Sequence, residues 1–314
     1  MDSDLIEFFS QYGYWSLALI LGVLLVALGL WVWRRRLPPA RPWSPDVQFA
    51  NIDGFKIRYI IEGRGPNLLL IHGIAAHIYA WRKLIPLLAP HYRLIAIDLP
   101  GFGYSSKNPK ADYGLDAQCE RIEKLLDALG IEQTRILGSS MGGSLALHLA
   151  RRNPRRFWEV VCISPATSRK LMPVKAHRLS WASSGLQYLV TPTFVSSIYK
   201  TVVHRQDQID RQVIDEYHRP YHRNPDSIKT FLSASQFLLD SRIEDNPGKV
   251  EIPVLYLWGK WDRIVPLKYL RRLEHKFGSK IRSAIHPNAG HHVMEDDPEW
   301  VCKMCLGFFG HHDF

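Results

Sequence analysis

The sequence predicts an α/β fold: a mostly parallel β-sheet with helices on both faces, interrupted by an inserted helical segment and preceded by an N-terminal transmembrane helix. Three observations support this prediction. Short apolar runs alternate with helical periodicity, which is typical of strands buried on both faces of a parallel sheet. The alternation stops near residue 167 and resumes near residue 249. Residues 14–33 contain no charged side chain, and a helix of this length is long enough to span a bilayer.

The composition suits a globular body and offers no metal chemistry. The chain has 314 residues, of which 46% are hydrophobic and 22% charged, enough for a sizeable core. Its four cysteines include the pair Cys302 and Cys305, which lacks the second pair that a zinc site would need. We therefore predict core thiols, no metal, no cofactor and no disulfide framework, as in a reducing compartment. The oligomeric state stays open.

The N-terminal apolar run predicts an uncleaved membrane anchor over residues 1–36. Aromatic residues mark both ends of the run, as they do at membrane interfaces. A cleaved signal peptide is the alternative, but it would begin with basic residues, whereas here acidic residues precede the run and Arg34–Arg36 follow it. The positive-inside rule then predicts a single-pass protein with the body that follows the anchor in the cytoplasm.

The excess of basic residues predicts a membrane partner rather than a nucleic acid. The formal net charge is +10, and a basic excess beside an anchor suits an anionic leaflet. No nucleic-acid-binding motif is present. Basic residues cluster at two places beyond the anchor: Arg151, Arg152, Arg155 and Arg156, and then Arg169, Lys170, Lys175 and Arg178.

A proline-rich linker is predicted over residues 37–46, between the anchor and the body, because closely spaced prolines disfavour helix and sheet alike.

A β-hairpin with its turn at Asp53–Gly54 is predicted next. The predicted parallel strands are Leu68–Ile71, Leu94–Ile97, Arg135–Leu137, Val160–Ile163, Val254–Leu257 and Arg282–His286. The predicted helices are Trp81–Leu88, Leu115–Leu129, Met141–Arg151, Leu267–Lys276 and Glu299–Phe309. The core thus covers 47–166 and 249–310.

Residues 167–248 predict an inserted helical cap. The segment contains helix-like stretches and Thr-Pro and Asn-Pro breaks, and it is too long for a simple loop. Between Thr167 and Gln206 it has six basic residues and no acidic one, interspersed with large apolar side chains. Two interpretations stay open: the cap packs its apolar face onto the body, or it also contacts the membrane surface.

Ser140 is the predicted nucleophile. It stands in Gly138-Ser-Ser-Met-Gly142, a G-x-S-x-G sequence between a predicted strand and a predicted helix. Small flanking residues permit a sharp turn that exposes the hydroxyl. The backbone N–H of Met141, at the start of the helix, can bind a developing oxyanion. The N–H of Ile74, in the loop after the first parallel strand, is the predicted second donor.

Asp262 and His291 are the predicted acid and base. Each follows one of the last two predicted strands, where an open α/β sheet places its site. The neighbouring His292 competes for the role of base, but adjacent residues in a turn point apart, and we favour His291 because it follows Gly290. Asp240 and Asp245 compete with Asp262 but lie in the cap or at its exit. His72 is predicted to shape the loop beneath Ile74 rather than to act as a base.

The set of motifs resembles the α/β-hydrolase superfamily over roughly residues 47–310. Its parts are H-G at 72–73, D-x-P-G-x-G-x-S at 98–105, G-x-S-M-G-G at 138–143, W-G-x-x-D at 258–262 and G-H at 290–291. With the N-terminal anchor, the chain is similar to membrane-anchored monoacylglycerol lipases of that fold. The resemblance implies an α/β-hydrolase fold, a Ser140–Asp262–His291 triad and a cap over the pocket.

The function predicted from these residues is hydrolysis of carboxylic esters in lipid-like substrates, of monoacylglycerol or lysolipid type. One alternative is hydrolysis of a carbon–carbon bond, because the same G-x-S-M-G-G sequence occurs in hydrolases of ring-cleavage products. Another is a non-catalytic anchored protein, which the intact triad argues against. The absence of an aspartate nucleophile argues against epoxide hydrolase and dehalogenase chemistry. Acyl length, head group and cap pocket residues stay open.

Overall fold

The computed structural model describes residues 45–168, 171, 181–234, 252–277 and 281–310. The predicted anchor and most of the predicted linker lie outside these residues, as do the competing Asp240 and Asp245 and parts of the predicted cap. Among the helices that the structure describes, none is long and apolar enough to cross a membrane.

Eight strands form one sheet in the order β1-β2-β4-β3-β5-β6-β7-β8. The pairs β1–β2 and β2–β4 are antiparallel, and the remaining pairs are parallel. This confirms the prediction of a mostly parallel sheet. The strands are β1 (Gln48–Ile52), β2 (Phe55–Glu62), β3 (Asn67–Ile71), β4 (Arg93–Ile97), β5 (Thr134–Ser139), β6 (Phe157–Ile163), β7 (Val254–Gly259) and β8 (Ile281–His286).

The predicted hairpin is confirmed by the antiparallel pairing of β1 with β2, in which Ile52 lies opposite Phe55. Asp53 and Gly54 both have positive φ angles, 48° and 78°. Positive φ at both central residues defines the type I′ turn, whose twist matches that of the flanking strands.

Helices cover both faces of the sheet. The described helices are α1 (Ile85–Leu88), α2 (Leu115–Ala128), α3 (Met141–Arg152), α4 (Ser183–Leu186), α5 (Pro192–Val202), α6 (Arg211–His218), α7 (Pro225–Ala234), α8 (Lys268–Phe277), α9 (Val293–Asp296) and α10 (Pro298–Phe309). Alternate residues of β3 enter two separate hydrophobic clusters. Leu69 packs in the cluster that contains α2 and α3, and Leu70 packs in the cluster that contains α10. Burial on both sides explains why these strands are continuous apolar runs.

The predicted helix over Trp81–Leu88 is wrong in extent. The structure has a 3₁₀ turn at Ile78–Trp81 and a short helix that begins only at Ile85. Pro86 explains the late start, because proline lacks an N–H group and fits only the first turn of a helix.

The described residues between β6 and β7 form helices α4 to α7, and no strand lies among residues 181–234. Helix α5 packs against α6, and α4 packs against α7. Thr191 caps α5 by accepting a hydrogen bond from the N–H of Phe194, at 3.1 Å. Asp210 caps α6 in the same way through Val213, at 2.8 Å.

Two of the arginines that the sequence assigned to the membrane-facing basic excess form ion pairs within the fold. Arg152 Nη2 lies 3.3 Å from Glu123 Oε2, and Arg156 Nη1 lies 2.7 Å from Asp127 Oδ1. Their charge is therefore partly balanced by α2.

Candidate active site

Ser140 occupies the sharp turn between β5 and α3. Its backbone has φ 53° and ψ −116°, a left-handed conformation that strains a residue other than glycine and often marks a functional site. The turn is held from both sides. The Ser140 N–H donates to Ile163 O at 2.8 Å, and its carbonyl accepts from the N–H of Gly143 at 3.0 Å and of Ala166 at 3.1 Å.

Asp262 and His291 are brought together by the loops that follow β7 and β8. Asp262 Oδ2 accepts a hydrogen bond from His291 Nδ1 at 2.8 Å, and both side chains are almost fully buried. Because Nδ1 donates, Nε2 carries the lone pair that a general base needs. Among the described residues, the Ser140 hydroxyl has no hydrogen-bond partner, which is common before substrate binds.

The second oxygen of Asp262 fixes its carboxylate in place. Oδ1 accepts the N–H groups of Ile264 and Val265 at 2.9 and 2.8 Å. The same loop is tied to β7 by Trp258, whose indole Nε1 donates to Val265 O at 2.8 Å. One carboxylate oxygen is thus used to hold the loop, and the other is left for His291.

His292 does not point away from His291, contrary to the sequence-based expectation. The two rings stack at 5.5 Å between centroids, 24° from parallel. His292 Nδ1 is buried and has no hydrogen-bond partner among the described residues. Burial and the neighbouring His291 hold the pKa of His292 well below its ordinary value. His292 is therefore neutral.

The two predicted oxyanion donors lie in adjacent loops. Met141 begins α3 directly after Ser140, and Ile74 follows the end of β3. Neither backbone N–H has an acceptor within the described part of the chain, so both are free to bind an oxyanion. The loop of Ile74 is a tight turn, in which Ala76 N–H donates to Gly73 O at 3.2 Å.

His72 supports that loop from beneath, as the sequence predicts. Its Nε2 accepts the N–H of Leu99 at 3.0 Å, so Nδ1 carries the proton and donates to Gly73 O at 2.7 Å. Burial lowers the pKa of His72 below 6.5, which keeps the ring in this neutral tautomer. His72 thus links the Ile74 loop to the loop after β4.

Asp98 organises the loop after β4. Its fully buried carboxylate accepts the N–H of Tyr104 at 2.8 Å and the N–H of Ile78 at 2.7 Å. Arg58 Nη1 lies 3.3 Å from the same carboxylate. The contact with Ile78, 20 positions away in sequence, joins this loop to the segment that follows the Ile74 loop.

A cavity of about 260 Å³ lies beside the site, between the body and helices α5 to α7. Ile74 and His292 line it on the side of the site, and Phe194, Ile198 and Ile228 line it on the side of these helices. No Lys, Arg, Asp or Glu is among the described residues that line it. The cavity can bind an apolar group next to Ile74 and His292.

Three residues that no sequence argument selected also adjoin the site. Asp296 accepts the N–H of Gly290 at 2.8 Å. Glu295, in the same short helix, forms a buried ion pair with Arg82. The sequence signal for Glu295 and Asp296 was their position directly after the apolar Val293 and Met294. That signal does not predict which residues they contact. Within the described ranges, no group of three or more His, Cys, Asp or Glu side chains could hold a metal ion.

The chain is similar in sequence to known proteins. A family model described as alpha/beta hydrolase fold matches residues 66–298. The chain is 22% identical over 322 residues to a monoacylglycerol lipase, ABHD6, of Bos taurus, covering 97% of this chain and 90% of that protein. It is 25% identical over 274 residues to 2-hydroxy-6-oxo-6-phenylhexa-2,4-dienoate hydrolase of Comamonas testosteroni, covering 83% and 94%.

A solved structure is similar over nearly the whole chain. It is the crystal structure of a membrane phospholipase A described as a bacterial virulence factor, with a TM-score of 0.69 and 25% identity. The match covers 97% of this chain and 98% of that chain.

Proposed function

The chain belongs to the alpha/beta hydrolase fold family, and from that premise we propose that it is a membrane-anchored serine hydrolase that cleaves carboxylic esters of lipid-like substrates. The observation that carries the proposal is the 2.8 Å hydrogen bond from His291 to Asp262, beside a strained serine turn and an apolar cavity. Buried, oriented His–carboxylate pairs next to a serine serve nucleophilic catalysis.

The proposed mechanism assigns one step to each group. His291 Nε2 takes the proton of Ser140, whose Oγ attacks the ester carbonyl. Asp262 holds the imidazole tautomer and stabilises the imidazolium. The N–H groups of Ile74 and Met141 bind the oxyanion. His291 then protonates the leaving alcohol and activates the water that hydrolyses the acyl-enzyme.

The cavity supports a fatty acyl substrate. At about 260 Å³ it lies just below the range of about 300–1,000 Å³ found for drug-sized ligands, which suits one acyl chain better than two. Its side chains offer apolar contact, at about 25 cal/mol for each Å² removed from water. Monoacylglycerols and lysolipids carry one such chain.

Carbon–carbon bond hydrolysis is the second candidate, favoured by the similarity to the dienoate hydrolase of Comamonas testosteroni. A dienoate carries a carboxylate, and a buried carboxylate needs a cationic partner or several hydrogen bonds. The described cavity lining has no Lys or Arg, and the adjacent His292 is neutral. The site therefore suits an uncharged ester better.

Membrane anchoring is supported by how far the relatives match. A match over 97% of the chain, as with the monoacylglycerol lipase and the membrane phospholipase A, must extend into residues 1–44. The match to the dienoate hydrolase, over 83%, need not. Of the three relatives described above, the two whose match extends into residues 1–44 are thus the two named for lipids. The anchor and a cytoplasmic body stay part of the proposal.

A second lipid contact is proposed on the surface formed by Tyr188, Leu189, Phe194 and Ile198, here called the α5 face. These four side chains are 68%, 64%, 49% and 50% exposed, and exposed apolar patches mark interaction sites. Residues 181–206 contain no acidic side chain, and Lys200 is exposed, which suits an anionic leaflet. Phe194 and Ile198 also line the cavity, so the same two side chains would contact both the bilayer and a substrate in the cavity.

The experiment that tests the function uses the full chain in membranes. Wild type should hydrolyse monoacylglycerol and p-nitrophenyl esters and should be labelled by a fluorophosphonate. Ser140→Ala should lose the label and at least a thousandfold in activity, on the order seen for lost serine nucleophiles. The matched control is Ser139→Ala, a buried neighbour, which should keep both.

Two results would overturn the proposal. Full esterase activity in Ser140→Ala would exclude the assigned nucleophile. Turnover of a hydroxy-oxo-dienoate by a wild-type protein that leaves every ester intact would establish the second candidate instead.

A further inference from the structure

The carboxylate of Asp296, at the end of α9, joins two segments that are distant in sequence. Oδ2 accepts the N–H of Gly290 at 2.8 Å, directly before His291. Oδ1 accepts the N–H of Arg205 at 2.7 Å, and both oxygens lie 3.0 Å from His204 N. The side chain is buried, with 1% exposure. A buried carboxylate that accepts several N–H groups fixes the backbone of each donor.

The segment that Asp296 holds is the end of α5 and the residues that follow it, here called the α5 exit (202–205). It also contacts the other neighbour of His291, because His292 N–H donates to Val202 O at 3.0 Å. A β-carbon on Gly290 would lie 2.8 Å from Val202 O and 3.0 Å from His204 N. The backbone on both sides of His291 therefore rests against the α5 exit.

The α5 exit reaches the loop of Asp262 as well. The His204 ring stacks on Trp261 at 5.5 Å, 6° from parallel. Trp261 N–H in turn donates to Ala289 O at 2.9 Å. The α5 exit thus contacts both loops that carry the acid and the base.

We propose that Asp296 is a positioning residue, which couples helix α5 to His291 by holding the α5 exit and Gly290 with one carboxylate. The inference rests on the proposed function, in which His291 moves protons between Ser140 and the substrate. Asp296 touches none of the reacting atoms. Because α5 lines the cavity through Val195 and Ile198, an acyl chain that packs against α5 also steadies the catalytic base.

The diagnostic substitution is Asp296→Asn, which keeps the shape but replaces one acceptor oxygen with an N–H₂ donor. Either Gly290 or the α5 exit then loses its acceptor. Small misplacement of a catalytic group costs up to about a hundredfold in rate. We expect kcat for p-nitrophenyl butyrate to fall about 10- to 100-fold with KM within twofold of wild type. Asp296→Glu, which retains a carboxylate, should recover part of kcat.

Asp297→Asn is the matched control, one residue away. Asp297 contacts His286 Nε2 at 3.0 Å and caps α10 through Trp300 N–H at 2.9 Å. Among the described residues its side chain forms no hydrogen bond or ion pair with the segments that Asp296 joins, and its variant should keep kcat. Thermal unfolding of both variants separates a general loss of stability from the selective loss of kcat.

Amide hydrogen exchange gives a readout that does not depend on activity. In Asp296→Asn, exchange should rise together in peptides covering the α5 exit and residues 289–292, and in neither for Asp297→Asn. A kcat within twofold of wild type, or faster exchange at the α5 exit alone, would overturn the proposal. If the wild-type protein hydrolyses no ester, the proposed function is wrong, but the role of Asp296 can still be tested. The test is then whether Asp296→Asn raises amide exchange in both segments together and slows fluorophosphonate labelling.

Discussion

A β-carbon on Gly73 would lie 3.2 Å from the Cβ of Ser140. The turn that contains Gly73 and Ile74 and the turn of Ser140 therefore touch, and no side chain fits between them. Hydrogen bonds from the Ser140 backbone to Ile163 and Ala166 prevent Ser140 from moving away from Gly73. Contact between these two turns sets the distance between the Ser140 Oγ and the N–H of Ile74.

Gly73→Ala should displace the Ile74 N–H and leave the fold intact. Removing one oxyanion donor costs about 100- to 1,000-fold in kcat, so we expect a loss of at least tenfold with p-nitrophenyl esters. Gly185→Ala, where nothing lies within 4 Å of the added methyl, is the control and should keep wild-type kcat. Equal activity in both variants would show that the loop is not held against Ser140.

Asp262→Asn should leave His291 in the wrong tautomer. The amide would present an N–H where Oδ2 now accepts from Nδ1, so Nε2 would carry the proton and could not act as base. Losses of about 10⁴ in kcat are known for such changes, and fluorophosphonate labelling should slow in parallel. Asp127→Asn, at the Arg156 ion pair, should change neither. Normal labelling of the Asp262 variant would contradict the assigned acid.

Acid pH should destabilise the protein through buried histidines. Burial lowers the pKa of His77 to about 4 from 6.5, so the unfolded chain binds this proton more readily. The stabilising contribution, about 3 kcal/mol, is complete above pH 6.5 and is lost as the pH falls from 6.5 to about 4. His77→Gln should flatten the dependence of the unfolding free energy on pH in that window. His91→Gln, on the surface, should leave the dependence as in wild type.

Filling the cavity should shorten the preferred acyl chain. Ile228→Trp places a larger side chain in the lining. Each methylene that loses its apolar contact costs about 0.8 kcal/mol, so kcat/KM for long-chain monoacylglycerol should fall about 10- to 100-fold more than for an acetyl ester. Ile214→Trp, buried on α6 but outside the described lining, should affect both esters alike. An equal loss for both esters in Ile228→Trp would contradict the acyl assignment.

The α5 face should be in contact with lipid. All four cysteines are buried, so a fluorophore on Leu189→Cys labels one exposed site. In proteoliposomes with anionic lipid, its emission should shift to the blue and be quenched by spin-labelled acyl chains. Glu132→Cys is the control. Residue 132 is exposed and precedes the start of β5, whereas Ser140 follows its end, so a label there should stay unquenched. A label at residue 189 with the same emission in buffer and in vesicles, and without quenching by the spin-labelled acyl chains, would contradict the lipid contact.

Local patterns were sufficient for most of the core. The apolar runs predicted β3 to β8 within a few residues, because burial on both faces requires an unbroken apolar strand. The order of Ser140, Asp262 and His291 predicted which loops would meet. Helix periodicity alone overestimated the helix at Trp81–Leu88, where Pro86 delays the start.

Contacts between distant segments were beyond such patterns. Arg82 pairs with Glu295 across 213 positions, and Asp296 binds Arg205 across 91. The first contact joins two segments of the body itself, and the second depends on where the end of α5 rests on the body. No local periodicity encodes that placement, because each partner is an ordinary charged residue in its own segment.

The amino-acid sequence by itself determined the α/β fold, the serine turn and the loops that carry Asp262 and His291, because strand burial and turn chemistry are local properties. Only the tertiary structure decided that the rings of His291 and His292 stack, that the cavity is apolar, and that Asp296 binds the α5 exit. Those outcomes follow from packing between segments far apart in the chain, where a buried donor or acceptor takes whichever partner the fold brings to it.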